Sequence, residues 1–167
     1  MVMHACERVG LDFLDSAPHR IVSTVDLEIT PAQLFEVLAD EHSWPQWATV
    51  ITKVTWTSPP PRGVGTTRTV DMRGGLSGNE EFLAWDSFER MAFRFNEIST
   101  SAMAAFAEDY RVVPTSRGCH LTWIMALAPA NLAGRVGLTL GAPVMNRMCQ
   151  RFLDELRRYT DERFARQ

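Results

Sequence analysis

The stretch Ile29-Thr30-Pro31-Ala32-Gln33-Leu34-Phe35-Glu36-Val37-Leu38-Ala39-Asp40, running on through Glu41 to His42-Ser43-Trp44-Pro45-Gln46-Trp47, decides how this chain is read. It describes a strand exit, a capped helix and a second short helix that carries two tryptophans. Thr30 is placed to cap the first helix, and Pro31 falls at its first position, where a missing N–H leaves nothing unpaired. Leu34, Phe35, Val37 and Leu38 form a one-sided apolar stripe at helical spacing. Ser43 is the expected cap of the next turn, with Pro45 near its start.

Upstream, His19 to Glu28 alternates, with Ile21, Val25, Leu27 and Ile29 on one side and Thr24, Asp26 and Glu28 on the other. That is a half-buried strand. Downstream, Thr49 to Thr57 is rich in β-branched residues and reads as a second strand. Ser58 to Gly63 is a loop, because consecutive prolines cannot donate to a ladder. Five further strands follow: Gly65 to Arg73, Asn79 to Trp85, Met91 to Ile98, Met103 to Val113 and Cys119 to Leu127. From about Val144 the apolar residues Met145, Met148, Phe152, Leu156 and Tyr159 recur at steps of three and four, which predicts a long amphipathic helix. Asp154 to Arg158 and Glu162 to Arg166 are spaced as ion pairs on its polar side. Gly134, Gly137 and Gly141, between Pro129 and Pro143, read as a separate approach segment, kinked before Pro143.

An antiparallel meander has one face to bury, and a single long helix is the only element able to cover it. A sheet that wide cannot be filled by one helix, so it is expected to curl and leave a cavity.

With 167 residues, 46% apolar and 22% charged, the chain is expected to form one domain over 19–167, preceded by a lead-in over 1–18, flexible or structured. A formal net charge of −3 gives no support for nucleic acid or an anionic membrane as the main partner. No apolar run is long enough to span a bilayer, and the first 18 residues lack the layout of a secretory signal, so a cytoplasmic protein is expected. Cys6, Cys119 and Cys149 are far apart and read as isolated reduced thiols. His4, His19, His42 and His120 share no short motif with a carboxylate or a cysteine, so neither a metal nor another cofactor is expected.

The order of elements, with its Thr-Pro-Ala opening and Trp-Pro-Gln-Trp turn, resembles the START-like or helix-grip superfamily, and more narrowly its polyketide cyclase/dehydrase and lipid-transport branch. The matching pieces run from about Arg20 to Phe164. They include Pro31 to Leu38, Trp44 and Trp47, Gly63-Val64-Gly65-Thr66, Glu81 to Asp86, and Gly118 to Trp123. The resemblance implies an α+β fold, a seven-stranded antiparallel sheet curled around a long C-terminal helix, with two short helices between the first two strands. It also implies a hydrophobic or amphipathic small molecule held between sheet and helix.

That arrangement, combined with alternation, places Leu121, Trp123 and Met125 inward, together with Phe106, Glu108, Tyr110 and Val112. Met91, Phe93 and Phe95 join them, as do Arg68, Val70 and Met72, and Trp56 with Val54. The expected ligand-binding set is Trp56, Arg68, Val70, Phe93, Phe95, Glu108, Tyr110, Trp123, Met148 and Phe152. Two of these are charged, and Arg68 and Glu108 would have to meet each other, water or a polar ligand group, since an unpaired buried charge is very costly. Glu108 is the candidate acid/base, because burial raises a carboxyl towards the working range, and Tyr110 adds a hydroxyl. Asp109 and Asp71, on the opposite faces, are expected to be exposed. Trp44 and Trp47 lock the short helix onto the core or gate the cavity; Met145, Met148 and Phe152 are core or an adaptable ligand wall.

Three functions follow. The first is binding of a lipid-, polyketide- or aromatic-type molecule without chemistry. The second is a cyclase, dehydratase or aromatase working through Glu108 and Tyr110, with Arg68 orienting the substrate. The third is a quinone-binding or ribosome-associating interaction protein, against which the missing basic surplus counts for RNA. The oligomeric state is not read from the sequence, a homodimer being one option.

Overall fold

The alternation from His19 to Leu27 is realised as a strand whose inner residues are buried and whose outer ones are exposed. The structure, a computed structural model, describes residues 1–165. In chain order the elements are β1 (His4–Ala5), α1 (Phe13–Ser16), β2 (His19–Leu27), α2 (Pro31–Ala39), α3 (Trp44–Trp47), β3 (Ile51–Trp56), β4 (Thr67–Met72), β5 (Leu76–Asp86), β6 (Arg90–Ile98), β7 (Met103–Thr115), β8 (Gly118–Pro129) and α4 (Leu132–Phe164).

Seven strands form one antiparallel sheet in the order β2-β8-β7-β6-β5-β4-β3, and β1 is an added eighth that pairs with β6. The expected seven-stranded antiparallel sheet is present, a meander of the six strands β3 to β8 with β2 paired to β8, and the mixed α+β helix-grip architecture with it. The added strand lies where β6 and β7 separate: their ladder covers Arg90–Arg94, and His4 and Ala5 pair with Ile98 and Glu97 beyond it. The segment continues with Cys6 N–H donating to the Asn96 carbonyl and Glu7 N–H to that of Ala104. Leu14 of α1 is then fully buried against a row of alanines on the convex face, Ala84, Ala92, Ala107 and Ala126. Only a small side chain on four adjacent strands lets a helix approach the sheet that closely.

The first helix is capped as expected. Thr30 Oγ1 accepts from Gln33 N–H at 3.2 Å, and the Gln33 side chain accepts from Thr30 N–H at 2.9 Å, a complete capping box. Ser43 is not the cap of α3. It sits in helical conformation, fully buried, and its hydroxyl is within donor distance of the Val37 and Asp40 carbonyls, closing the end of α2 instead.

The C-terminal helix is longer than expected. It begins at Leu132, where Asn131 caps it by accepting from Gly134 N–H at 2.8 Å, and runs through Pro143 as one element. Its fully buried residues, Cys149, Phe152, Leu153, Leu156 and Thr160, lie in its second half, while Leu138 and Met145 of the first half pack partly buried against the core. Arg158 pairs with Glu155, three residues away, rather than with Asp154. The expected pair from Glu162 to Arg166 lies outside the described residues.

Asp109 is not exposed. It has no solvent contact and accepts two bonds from Arg90, at 2.9 and 2.8 Å, and one from Arg111 at 2.7 Å. Asp71 is half-buried and accepts from Ser77. The convex face reads as solvent-facing from alternation alone, but the N-terminal segment covers part of it.

Candidate functional site

Between the concave side of the sheet and α4 lies a cavity of about 280 Å³, lined almost entirely by apolar side chains. Nine of the ten expected ligand-binding residues line it: Arg68, Val70, Phe93, Phe95, Glu108, Tyr110, Trp123, Met148 and Phe152. Trp56 stands apart. It packs with Phe82 and Trp85 at centroid distances of 5.6 and 6.2 Å and carries the Arg62 guanidinium over its ring, behind the wall. Trp44 and Trp47 are buried in the core, as the packing reading expects, and both also line the cavity.

The polar groups gather in one region. Arg68 on β4 and Glu80 on β5 are direct cross-strand partners, and Arg68 Nε donates to Glu80 Oε2 at 2.5 Å. Arg68 therefore does not meet Glu108. Its guanidinium is enclosed by rings, with centroids at 4.4 Å for Trp44, 4.7 Å for Phe93, 5.0 Å for Phe82 and 5.5 Å for Trp56. Such a cage stabilises a desolvated cation through the ring quadrupoles. Glu108 on β7 accepts from the Tyr110 hydroxyl at 2.7 Å and from Trp123 Nε1 at 2.9 Å, both on Oε2. Phe93, Tyr110 and Trp123 stack across β6, β7 and β8, with centroids 6.0 and 5.6 Å apart, so the carboxyl is held by a wall of fixed rings.

One cation thus serves two buried carboxyls. Burial, and then the charge of Glu80, push Glu108 up to about 7, against the pull of its two hydrogen bonds and of Arg68. Burial also raises Glu80, with Arg68 opposing. Tyr110 stays a hydroxyl donor, since burial and Glu108 hold it well above its ordinary value. Cys149 is pushed up to about 12 by burial and Glu108, which leaves it an unreactive thiol. Glu108 is thus the carboxyl of this region placed to take up or release a proton near neutrality, beside the paired Arg68 and Glu80. Among the described residues, no three His, Cys, Asp or Glu side chains cluster as a metal site would require.

Among the described residues, two buried donors in this region have no acceptor: Arg68 Nη1 and Trp47 Nε1. Both residues line the cavity.

Glu80 is the residue that sequence reasoning missed. The signal was available, since Phe82 is apolar and Glu80 lies two positions before it, on the same face of a strand. Its cross-strand partner is not legible from residue types, because the β4–β5 register depends on the geometry of the Arg73-Gly74-Gly75 turn, where two adjacent glycines admit several turn types.

A polyketide cyclase / dehydrase and lipid transport family profile matches residues 18–161. The chain belongs to that family. A 62% identical relative, an uncharacterized protein of Mycobacterium tuberculosis, aligns over 98% of this chain and 97% of its own length. A Thermus thermophilus structure superposes with a TM-score of 0.72 at 12% identity, covering 87% of this chain and 99% of that one. A START superfamily protein from Mycobacterium smegmatis superposes with a TM-score of 0.65 at 10% identity, covering 89% and 98%. These two structures establish the helix-grip fold. The family supports a hydrophobic-ligand-binding or polyketide cyclase-type function. No helix among the described residues is long and apolar enough to cross a membrane.

Proposed function

We propose that this family member binds a single apolar small molecule of lipid, polyketide or aromatic type, one end of which carries a hydrogen-bond acceptor such as a ketone, quinone or carboxylate oxygen. The observation that carries the reading is the pair of acceptor-less donors, Arg68 Nη1 and Trp47 Nε1, both carried by residues that line the largely apolar cavity. A buried donor left unpaired costs about 1–3 kcal/mol, so a ligand oxygen that satisfies one gains that much over a hydrocarbon of equal size. A volume of about 280 Å³ stands at the lower edge of the roughly 300–1,000 Å³ of small-molecule sites, which suits a compact ring system or one acyl chain and not a two-chain phospholipid.

Native mass spectrometry of the purified protein, followed by organic extraction, tests this directly. A retained apolar compound bearing a carbonyl supports the reading. Quenching of the pocket tryptophans by a naphthoquinone, but not by naphthalene at the same concentration, supports the acceptor. Absence of any retained compound together with equal quenching by both probes overturns it.

A second reading is favoured by Glu108 alone. A carboxyl held near 7 beside a tyrosine hydroxyl can remove a proton alpha to a carbonyl and return it, the step a cyclase or dehydratase of poly-β-ketones needs. Glu108→Gln would then abolish turnover of a poly-β-ketone while leaving its binding intact; unchanged turnover eliminates this second reading.

A further inference from the structure

We propose that the outer face of the first half of α4, together with the tip of the β4–β5 hairpin, docks on an anionic lipid surface. Leu132, Val136, Leu140, Val144 and Met148 recur every four residues, and they are exposed by 76%, 48%, 76%, 73% and 39%. Each step of four turns the row by about 40°, so Leu132, Val136, Leu140 and Val144 share an outer arc of about 120° while Met148, at its end, reaches the cavity. With no element among the described residues laid over that arc, it marks an interaction surface rather than scattered exposure. The second half of the same helix buries its apolar residues in the core, so the two halves face different surroundings.

Charge selects the occupant. From Asn131 to Leu153 the chain carries Arg135, Arg147 and Arg151 and no aspartate or glutamate, although the whole chain has a net charge of −3. An apolar helix face flanked only by arginines suits a layer of anionic headgroups over acyl chains. A second copy of the chain would bring the same arginines together across a two-fold contact. The acidic remainder of the molecule would be repelled by such a surface, which orients the protein with α4 towards it.

Two further features agree. Gly134, Gly137, Gly141 and Pro143 make this half a poor helix former by itself, so contact with an apolar layer would stabilise the helical form. Leu138, Met145 and Met148 of the same half line the cavity, as does Leu76, half-exposed at the hairpin tip beside Arg73. The first half of α4 thus has one side on the cavity and the other on the proposed docking surface, which brings an apolar ligand in the cavity close to that surface.

Flotation with vesicles of phosphatidylcholine, with and without a third of phosphatidylglycerol, tests the proposal. The wild-type chain should float with the anionic vesicles and not with the neutral ones. Leu140→Ser/Val144→Ser and Arg147→Glu/Arg151→Glu should each lower the bound fraction at least about tenfold. These side chains are exposed, and circular dichroism checks that both variants fold. Tryptophan quenching by the naphthoquinone reads the cavity separately, so loss of flotation with quenching retained reports on the face alone. Failure of the wild type to float, or unchanged flotation of the Leu140/Val144 variant, overturns the proposal. So does a dimer in sedimentation that the same variant dissociates while the wild type ignores vesicles.

Discussion

Arg68 lies directly across the β4–β5 ladder from Glu80, its Nε 2.5 Å from Glu80 Oε2, and the two side chains are 1% and 3% exposed. Burial first, and then the charge of Glu80, raise Glu108 to about 7, and Arg68, engaged by Glu80, opposes that rise only in part. Of the two acids in this cavity, Glu80 is held against Arg68, and Glu108 against the Tyr110 hydroxyl and the Trp123 indole.

Removing one partner strands the other. Arg68→Met should destabilise the fold by about 3–5 kcal/mol, because Glu80 is then buried without compensation. Replacing both, as Arg68→Met/Glu80→Leu, should recover most of that loss. Urea unfolding of the two single variants and the double reads the coupling, and strictly additive losses would contradict it.

The Glu108 carboxyl has a definite pH signature. Its folded value, about 7, lies above the unfolded 4.5, so the folded state holds the proton more tightly. Its contribution is fully present below 4.5 and is lost as the pH rises through about 7, an effect of about 3 kcal/mol in all. Glu108→Gln should therefore flatten the fall in stability between pH 5 and pH 8, measured by urea midpoints. An unchanged slope would place the proton elsewhere.

Leu14 tests the role of the N-terminal segment. It is fully buried against Ala84, Ala92, Ala107 and Ala126, and Arg20 Nε donates to its carbonyl at 2.7 Å. Leu14→Ala should cost about 2–5 kcal/mol, the range for a buried leucine. We expect hydrogen exchange to accelerate first at β1 and in the nearby backbone of β6. A cost below about 0.5 kcal/mol would show that the segment is not part of the cooperative unit.

Gly118 is the tightest point of the β7–β8 hairpin. Its φ is +155°, and a Cβ there would stand 2.1 Å from the Leu27 carbonyl oxygen and 2.9 Å from the Ile29 nitrogen, both backbone atoms that cannot yield cheaply. Gly118→Ala should cost at least about 1–3 kcal/mol, as overpacking does, seen as a lowered thermal midpoint. Gly63→Ala, which meets nothing within 4 Å, is the matched control and should be near neutral.

Much of the molecule was legible before any coordinates. The faces of β4, β6, β7 and β8 followed from period-two alternation, since one buried face per strand fixes which residues point inward. The capping box at Thr30 followed from residue types three apart. The start of α4 did not, because three glycines and Pro143 weaken local helix propensity, and in the fold the continuous helix is anchored by Asn131 at one end and by the embedded second half at the other. Net charge likewise concealed Arg135, Arg147 and Arg151, because a sum over the chain carries no positions.

The sequence by itself determined the container: strand order, the two short helices after β2, and the inward positions of Arg68, Glu108, Tyr110 and Trp123. These depend on local periodicity, which neighbouring residues encode directly. Only the tertiary structure decided which groups meet. Arg68 pairs with Glu80 and not with Glu108, Asp109 is buried beside Arg90 and Arg111, and Trp56 stands behind the wall. Those outcomes depend on strand register and on what covers the outer face of the sheet, both set by contacts between residues far apart in the chain.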